Sequence, residues 1–179
     1  MEEMKFLTKE ELFQIPVECM PMMVLADNLR NLVSAGIKIH THGCYGHFMW
    51  LIAPGTLASM EVGGFKRVKL QSFVEGDRMK FWYCPEWTNE QRKKIIDAIE
   101  AKLKLPWYKR RYDFLAYIGQ LTGWRWIQSP IADICSETIS YINLGDENFT
   151  MENPNPEEVN KWFEEHKPKY QIYGRYTPD

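Results

Sequence analysis

The sequence predicts an α+β protein in which a central antiparallel sheet packs against helices. Short apolar stretches bounded by glycine and proline fill the first half of the chain, and helix-start patterns dominate the second half. Strands followed by helices, with one helix early, favour an antiparallel sheet over a doubly wound parallel one. The length of 179 residues predicts a single domain over residues 1–179, because most domains have ~100–150 residues.

The first elements of the chain are predicted to be a short helix and a strand. Thr8 begins a capping box, and Pro16 ends the helix that follows it. Residues 17–26 are apolar and predict a strand, which Pro21 restricts to a sheet edge or a bulge. Asp27 is a suitable cap for a second short helix.

The middle of the chain predicts most of the sheet. Turn signals containing glycine or proline separate apolar, partly alternating stretches there, among them Pro54-Gly55 and Gly63-Gly64. The predicted strands cover residues 37–42, 46–53, 57–62, 68–73 and 79–84.

The second half of the chain predicts helices and one last strand. A second capping box at Thr88 begins the clearest helix, with Ile95 and Ile99 on its buried side, and Pro106 ends it. Asn155, followed by proline, caps another helix. Further helices are predicted over residues 112–121 and about 133–143, and a strand over residues 170–176.

Charge and hydropathy exclude several classes of protein. The net charge is −2, with 22 basic and 24 acidic residues, which argues against a nucleic-acid binder that relies on phosphate contacts. No apolar run approaches the ~20 residues that an integral membrane helix needs. The N-terminus is acidic and does not resemble a signal peptide. We therefore expect a cytoplasmic protein, or one encoded by a phage and delivered elsewhere.

Cys135 is the cysteine whose surroundings suggest chemistry. The four cysteines form no CxxC pair, so the common zinc and thioredoxin spacings are absent and the thiols are expected to be free. If Asp133 caps a helix, Cys135 lies at its second position, where free N–H groups and the helix dipole stabilise a thiolate. The alternative is a packing cysteine on the apolar side of that helix.

His47 and Glu61 are the other candidate catalytic residues. His47 begins a strongly apolar strand, and a histidine in that position can act as a general base. If the hairpin is centred at Pro54, Glu61 lies directly opposite His47, with Cβ atoms ~5 Å apart. A carboxylate there can orient the imidazole. The alternatives are a hydrogen-bonded histidine at a strand edge and a solvated glutamate.

A cluster of potential metal ligands precedes the same strand. Histidine and thiol side chains recur at His40, His42, Cys44 and His47. Such side chains bind zinc and related metals, and residues 40 and 42 would share one face of a strand. The spacing matches no common zinc motif, so we expect no metal and no cofactor, and metal binding remains the alternative.

These motifs resemble those of a known enzyme family. Gly46-His47 before an apolar strand, Glu61 on the next strand, the segment 112–114 (Tyr-Asp-Phe) and the segment 134–137 (Ile-Cys-Ser-Glu) look like the circularly permuted papain-like cysteine hydrolases. This group includes the YiiX-like proteins and is related to the NlpC-type peptidases and to lecithin:retinol acyltransferase. The resemblance covers roughly residues 15–145. In the permuted branch the histidine precedes the cysteine, as it does here.

The resemblance implies a role for each matching residue. Cys135 corresponds to the nucleophile, His47 to the general base and Glu61 to the residue that orients it. Tyr112 corresponds to a residue that lines the cleft. The implied activity is hydrolysis or transfer at an amide or ester bond, so the expected partner is a small peptide-like or acyl substrate, and a cell-wall peptide is among the substrates that the resemblance allows.

Two further predictions concern aromatic and basic residues. Trp124 and Trp126 are candidates for the wall of the cleft, and core packing is the alternative for each. Basic residues after the long helix suit an anionic substrate or a membrane surface, or form a solvated face. They are Lys102, Lys104, Lys109, Arg110 and Arg111. A non-catalytic binding protein that keeps the same fold is the remaining alternative for the whole chain.

Overall fold

The computed structural model shows an antiparallel sheet of six strands with helices on both faces. It describes residues 5–27, 44–61, 63–111, 137–149, 151, 154–167 and 169–178. The strands are β1 Met22–Ala26, β2 His47–Ala53, β3 Thr56–Glu61, β4 Gly64–Lys69, β5 Met79–Tyr83 and β6 Gln171–Tyr176. Their order in the sheet is β4-β3-β2-β1-β5-β6, and every neighbouring pair is antiparallel. The predicted α+β class is confirmed at this level.

Four α-helices and three 3₁₀ segments complete the described part of the chain. The α-helices are α1 Lys9–Phe13, α2 Gln71–Val74, α3 Asn89–Lys104 and α4 Pro156–Glu165. The 3₁₀ segments are Val17–Cys19, Trp107–Lys109 and Glu137–Leu144. Thr8, Thr88 and Asn155 form full capping boxes at the starts of α1, α3 and α4, as the sequence predicts.

The prediction that Pro21 makes the first strand an edge strand or a bulged one is wrong, because β1 is an interior strand that pairs without a register shift. β1 begins at Met22, directly after Pro21, and lies between β2 and β5 in the interior of the sheet. Residues 17–19 form a 3₁₀ turn instead of strand. Because Pro21 precedes the hydrogen-bonded ladder, its missing N–H does not interrupt the pairing of β1.

The strand predicted over residues 68–73 is displaced in the structure. Gly64, with φ of 98°, allows the chain to reverse at once, and β4 pairs with β3 from Glu61 opposite Gly64 to Thr56 opposite Lys69. The next residues form the helical turn α2. Phe73 and Val74 are both buried. Two consecutive residues can face the same core in a helical turn, whereas in a strand they would point to opposite faces.

The helix predicted over about residues 133–143 also differs in its described part. Residues 137–144 form a 3₁₀ helix. Ile139 and Ile142 are both fully buried, and a three-residue repeat brings them to the same side of a 3₁₀ helix. The predicted helices after Asp27 and over 112–121, the predicted strand over 37–42 and the start of the 133–143 helix lie outside the described residues.

The sheet separates two hydrophobic cores. We call its two surfaces the α3 face and the α2 face. The α3 face packs against α3, α4 and the 137–144 segment, and its core includes Met23, Phe48, Trp50, Ile99, Ile142 and Phe163. The α2 face packs against α1 and α2, and its core includes Leu12, Val24, Met49, Leu51, Leu57 and Phe73. Alternate residues of each strand therefore serve different cores.

None of the helices in the described part of the chain is long and apolar enough to cross a membrane.

Candidate active site

His47 is held at the beginning of β2 with its side chain on the α2 face. It shares that face with Met49 and Leu51, because side chains alternate along a strand. The imidazole is buried and stacks on the Phe73 ring, with centroids 6.4 Å apart and planes inclined by 14°. The apolar strand and the ring of α2 thus fix both the position and the plane of the imidazole.

Glu61 lies across the β2–β3 hairpin from His47. The ladder pairs Met49 with Ser59 and Leu51 with Leu57, and continuing it by two residues sets His47 opposite Glu61. This is the register that a hairpin centred at Pro54 predicts, with an irregularity in the ladder between Leu51 and Ala53. His47 Nε2 and Glu61 Oε1 are 3.5 Å apart.

Ser59 connects the imidazole to the carboxylate, a role that the sequence did not reveal. Its Oγ lies 2.7 Å from His47 Nε2 and donates a hydrogen bond of 2.6 Å to Glu61 Oε1. A hydroxyl has a single proton to donate. Because Ser59 donates that proton to Glu61, its oxygen accepts the bond from His47, so Nε2 carries a proton and neutral His47 keeps its basic lone pair on Nδ1.

Ser59 is placed to orient the histidine rather than to attack a substrate. Its side chain is completely buried, with 0% of the residue exposed. In a serine-hydrolase triad the carboxylate binds the ring nitrogen opposite the one that faces the serine. Here Glu61 and Ser59 both face Nε2, so the serine occupies the position of an intermediary.

The surroundings of Glu61 keep it ionised. Burial raises the pKa of this carboxyl, but the hydrogen bond and charge of His47, the hydrogen bond from Ser59 and the charge of Lys66 outweigh burial and lower the pKa from 4.5 to about 2. A group with that pKa is negatively charged throughout the neutral range. Glu61 therefore supplies a permanent negative charge to the Nε2 side of the imidazole.

The other predicted site residues cannot be placed beside this group. Cys135, Tyr112, Trp124 and Trp126 all lie outside the described residues. The nearest described position to Cys135 that contacts the sheet is Thr138, whose carbonyl accepts a 3.0 Å hydrogen bond from the Trp50 indole. The 137–144 segment packs on the α3 face, whereas the imidazole of His47 lies on the α2 face against Phe73.

Metal ligation finds no support in the described part of the chain, where no three His, Cys, Asp or Glu side chains form a group that could hold an ion. His40 and His42 of the predicted cluster lie outside that part. Cys44 is exposed, and its backbone N–H bonds to Glu157 Oε2 at 2.9 Å. His47 directs Nε2 toward Ser59 and Glu61.

A comparison of the chain with protein-family models finds no match, and a comparison with curated proteins finds none either.

Proposed function

We propose that this protein is a cysteine-dependent hydrolase of amide or ester bonds, with Cys135 as nucleophile, His47 as general base and Glu61 as orienting residue. The observation that supports it is the buried row from His47 through Ser59 to Glu61. An imidazole fixed by a permanently charged carboxylate is the arrangement that general-base catalysis requires. The cysteine, and the assignment to a permuted papain-like fold, rest on the sequence resemblance.

The proposed reaction is acyl transfer through a thioester. His47 Nδ1 accepts the Cys135 proton, and Glu61 stabilises the resulting imidazolium through Ser59. The thiolate attacks the carbonyl carbon, and backbone N–H groups near the nucleophile hold the oxyanion. When the tetrahedral intermediate collapses, His47 returns the proton to the leaving amine or alcohol. Water then adds to the thioester, with His47 taking its proton, and releases the acid and the free thiol.

Chain geometry sets a condition on this proposal. Thr138 lies on the α3 face, and residues 135–138 span at most about 11 Å when extended. The strand from His47 to Trp50 covers about 10 Å. Cys135 can therefore reach His47 only if the chain before Thr138 passes close to the start of β2. Tyr112, Trp124 and Trp126 are proposed to line the cleft at the same end of the sheet.

The test is the rate of thiol alkylation by iodoacetamide as a function of pH. The exposed thiol of Cys44 is the expected background, so all measurements use a Cys44→Ala chain. Burial raises the pKa of the Cys19 and Cys84 thiols, so both react slowly near neutral pH. The proposal predicts a fast-reacting thiol well below pH 8, and Cys135→Ala removes it.

Three further variants separate the roles of the buried row. His47→Ala should slow the fast thiol by at least tenfold near pH 7, and Ser59→Ala should slow it less, because the imidazole remains. His166→Ala, which removes an exposed histidine, is the matched control and should leave the rate unchanged. If the Cys135 thiol instead reacts with an ordinary pKa near ~8.5 in every variant, the protein is a binding module and the hydrolase proposal fails.

Substrate screening follows from a positive result. The proposal limits the substrate to small peptide amides and acyl esters, because the proposed step transfers an acyl group from the substrate carbonyl to a thiolate. An amide substrate releases an amine and an ester substrate releases an alcohol, in each case in an amount equal to that of the acid. The product therefore identifies the substrate class, and Cys135→Ala should abolish its release. Zinc bound in stoichiometric amounts, with loss of stability in chelator, would favour the metal-binding alternative.

A further inference from the structure

The segment after α3 presents a cluster of exposed apolar side chains. Among the described residues, six large apolar side chains are strongly exposed, and three of them fall within four positions of this segment. They are Leu105 at 37%, Trp107 at 66% and Tyr108 at 47% exposure. We call residues 104–111, which are the last residue of α3 and the residues that follow it, the aromatic–basic segment. Apolar residues clustered in this way mark interaction surfaces more often than those scattered singly do.

The aromatic–basic segment has a defined shape. Its centre is a 3₁₀ turn over Trp107–Lys109, closed by hydrogen bonds from Lys109 N to Pro106 O at 2.9 Å and from Arg110 N to Trp107 O at 3.2 Å. The Trp107 and Tyr108 rings meet edge to face with centroids 6.3 Å apart, and the Arg111 guanidinium lies 5.6 Å from the Trp107 centroid. The exposed rings are therefore pre-arranged, which reduces the entropy lost on binding.

The surface around these rings is strongly basic in a protein of net charge −2. Within residues 100–111 there are five basic residues, Lys102, Lys104, Lys109, Arg110 and Arg111, and one acidic residue, Glu100. Glu100 pairs with Arg67 of β4. Lys66 and Lys69 add exposed positive charge along the same edge strand. The segment and the adjoining edge strand therefore form a local cationic surface.

The same segment is attached beside the candidate site. Phe65 N donates to Arg110 O at 2.7 Å, and the Arg110 guanidinium donates to Phe65 O at 3.0 Å. Phe65 follows Gly64, which pairs with Glu61 across the β3–β4 turn. A ligand that contacts the aromatic–basic segment is thus held next to the end of the sheet where Glu61 lies.

We propose that the aromatic–basic segment docks the protein on the surface of an anionic lipid bilayer. Tryptophan and tyrosine rings favour the depth of the lipid headgroups, and lysine and arginine beside them are attracted to acidic lipids. A stacked nucleic acid suits the geometry less well, because Arg111 already approaches the Trp107 ring and Tyr108 meets that ring edge on. This proposal goes beyond the hydrolase proposal, and its test needs no turnover.

The test is co-flotation of the 179-residue chain with vesicles of phosphatidylcholine alone and of equal parts phosphatidylcholine and phosphatidylserine. We expect binding only to the acidic vesicles, and this binding should weaken as the salt concentration rises. Trp107→Ala/Tyr108→Ala should reduce the partition coefficient by about tenfold, since it removes the inserted rings. Lys104→Gln/Lys109→Gln should reduce it by about 25-fold, at roughly fivefold for each charge near the surface.

Matched controls and a competing polyanion decide the outcome. Phe6→Ala removes an aromatic ring that is also 66% exposed but lies elsewhere, and Lys93→Gln/Lys94→Gln removes two exposed lysines from the other end of α3. Both should bind like the wild type. The proposal is overturned if the wild-type chain does not bind acidic vesicles, or if the control variants lose as much binding as the test variants. Single-stranded DNA that binds as tightly as the acidic vesicles, through Trp107 and Tyr108, would identify a nucleic-acid surface instead.

Discussion

The negative charge of Glu61 should have a measurable effect on the stability of the protein. The carboxylate is largely buried, yet His47, Ser59 and Lys66 together lower its pKa from 4.5 to about 2. In the unfolded chain these neighbours are lost and the carboxyl titrates near its ordinary value. Folding therefore favours the ionised form, and the ion contributes stability wherever the unfolded chain would also be ionised.

Replacing Glu61 by glutamine should remove this contribution in a pH-dependent way. Because the folded pKa lies below the unfolded one, the contribution is complete above about pH 5 and declines as pH falls through 4.5 toward 2. The free energy of unfolding of wild type should therefore exceed that of Glu61→Gln near pH 7, and the difference should shrink toward pH 2. Urea unfolding at a series of pH values measures it.

Glu75→Gln is the control for the loss of one carboxylate, because Glu75 is exposed in the loop after α2. The difference between wild type and this control should stay small at every pH. A Glu61→Gln chain whose deficit is the same at pH 3 as at pH 7 would contradict the lowered pKa of Glu61, and with it the fixed negative charge beside His47.

The sequence identified the two ends of the buried row but not its centre. His47 and Glu61 have distinctive side chains, and the Pro54-Gly55 turn fixes their register. Ser59 sits between Ala58 and Met60 and looks like any serine in a strand. The available signal was the alternation of side chains along a strand. Once that register is assumed, residues 59 and 61 lie on the same face of the sheet as His47. A hydrogen bond across strands depends on side-chain rotamers, which no spacing rule gives.

At the scale of the elements, the β3–β4 turn links the candidate site to the aromatic–basic segment. Gly64 has φ of 98°, a conformation that side chains rarely adopt. A Cβ at this position would overlap the carbonyl oxygen of Arg110. That carbonyl accepts the hydrogen bond from Phe65 N. The absence of a side chain at residue 64 is therefore what allows the segment to lie against β4.

Gly64→Ala should destabilise the protein by about 2 kcal/mol, because strain at positive φ and the displaced Arg110 carbonyl act together. It should also weaken vesicle binding, since the aromatic–basic segment loses its attachment. Gly63→Ala is the matched control, because the nearest group to its Cβ is the flexible Lys66 amine at 3.9 Å. Urea unfolding and co-flotation of both variants test this; equal stability of the two would contradict the close approach at residue 64.

Helix starts with a chemical boundary signal were predicted at the right residues, whereas the boundary between strand and helical turn within residues 68–74 was not. The capping boxes of α1, α3 and α4 specify where each helix begins, because a side chain satisfies particular N–H groups there. Residues 68–74 (Val-Lys-Leu-Gln-Ser-Phe-Val) have no such signal. Their division into the end of β4 and the turn α2 is set by pairing with β3 and by the core that receives Phe73, information that local sequence does not contain.

At the scale of the whole molecule, the sheet lies between two hydrophobic cores and contributes side chains to both. Every interior strand contributes alternate residues to the α3 face and to the α2 face. The Trp50 indole anchors the 137–144 segment on one side, and the imidazole of His47 packs against Phe73 on the other. Loss of one core would expose the back of the strands that form the other, so the two should unfold together.

Two conservative truncations, one in each core, test this cooperativity and the single-domain prediction. Ile99 on α3 and Ile15 after α1 are almost completely buried, at 0% and 2% exposure, in different cores. Ile99→Val and Ile15→Val should each lower the free energy of unfolding by about 1 kcal/mol. Because the sites lie on opposite faces of the sheet, the double variant should show the sum within about 0.5 kcal/mol. Tryptophan fluorescence and far-ultraviolet circular dichroism should report one coincident urea transition for all three variants. Two separated transitions, with each substitution shifting only one of them, would mean that the cores unfold independently and that the chain contains two folding units.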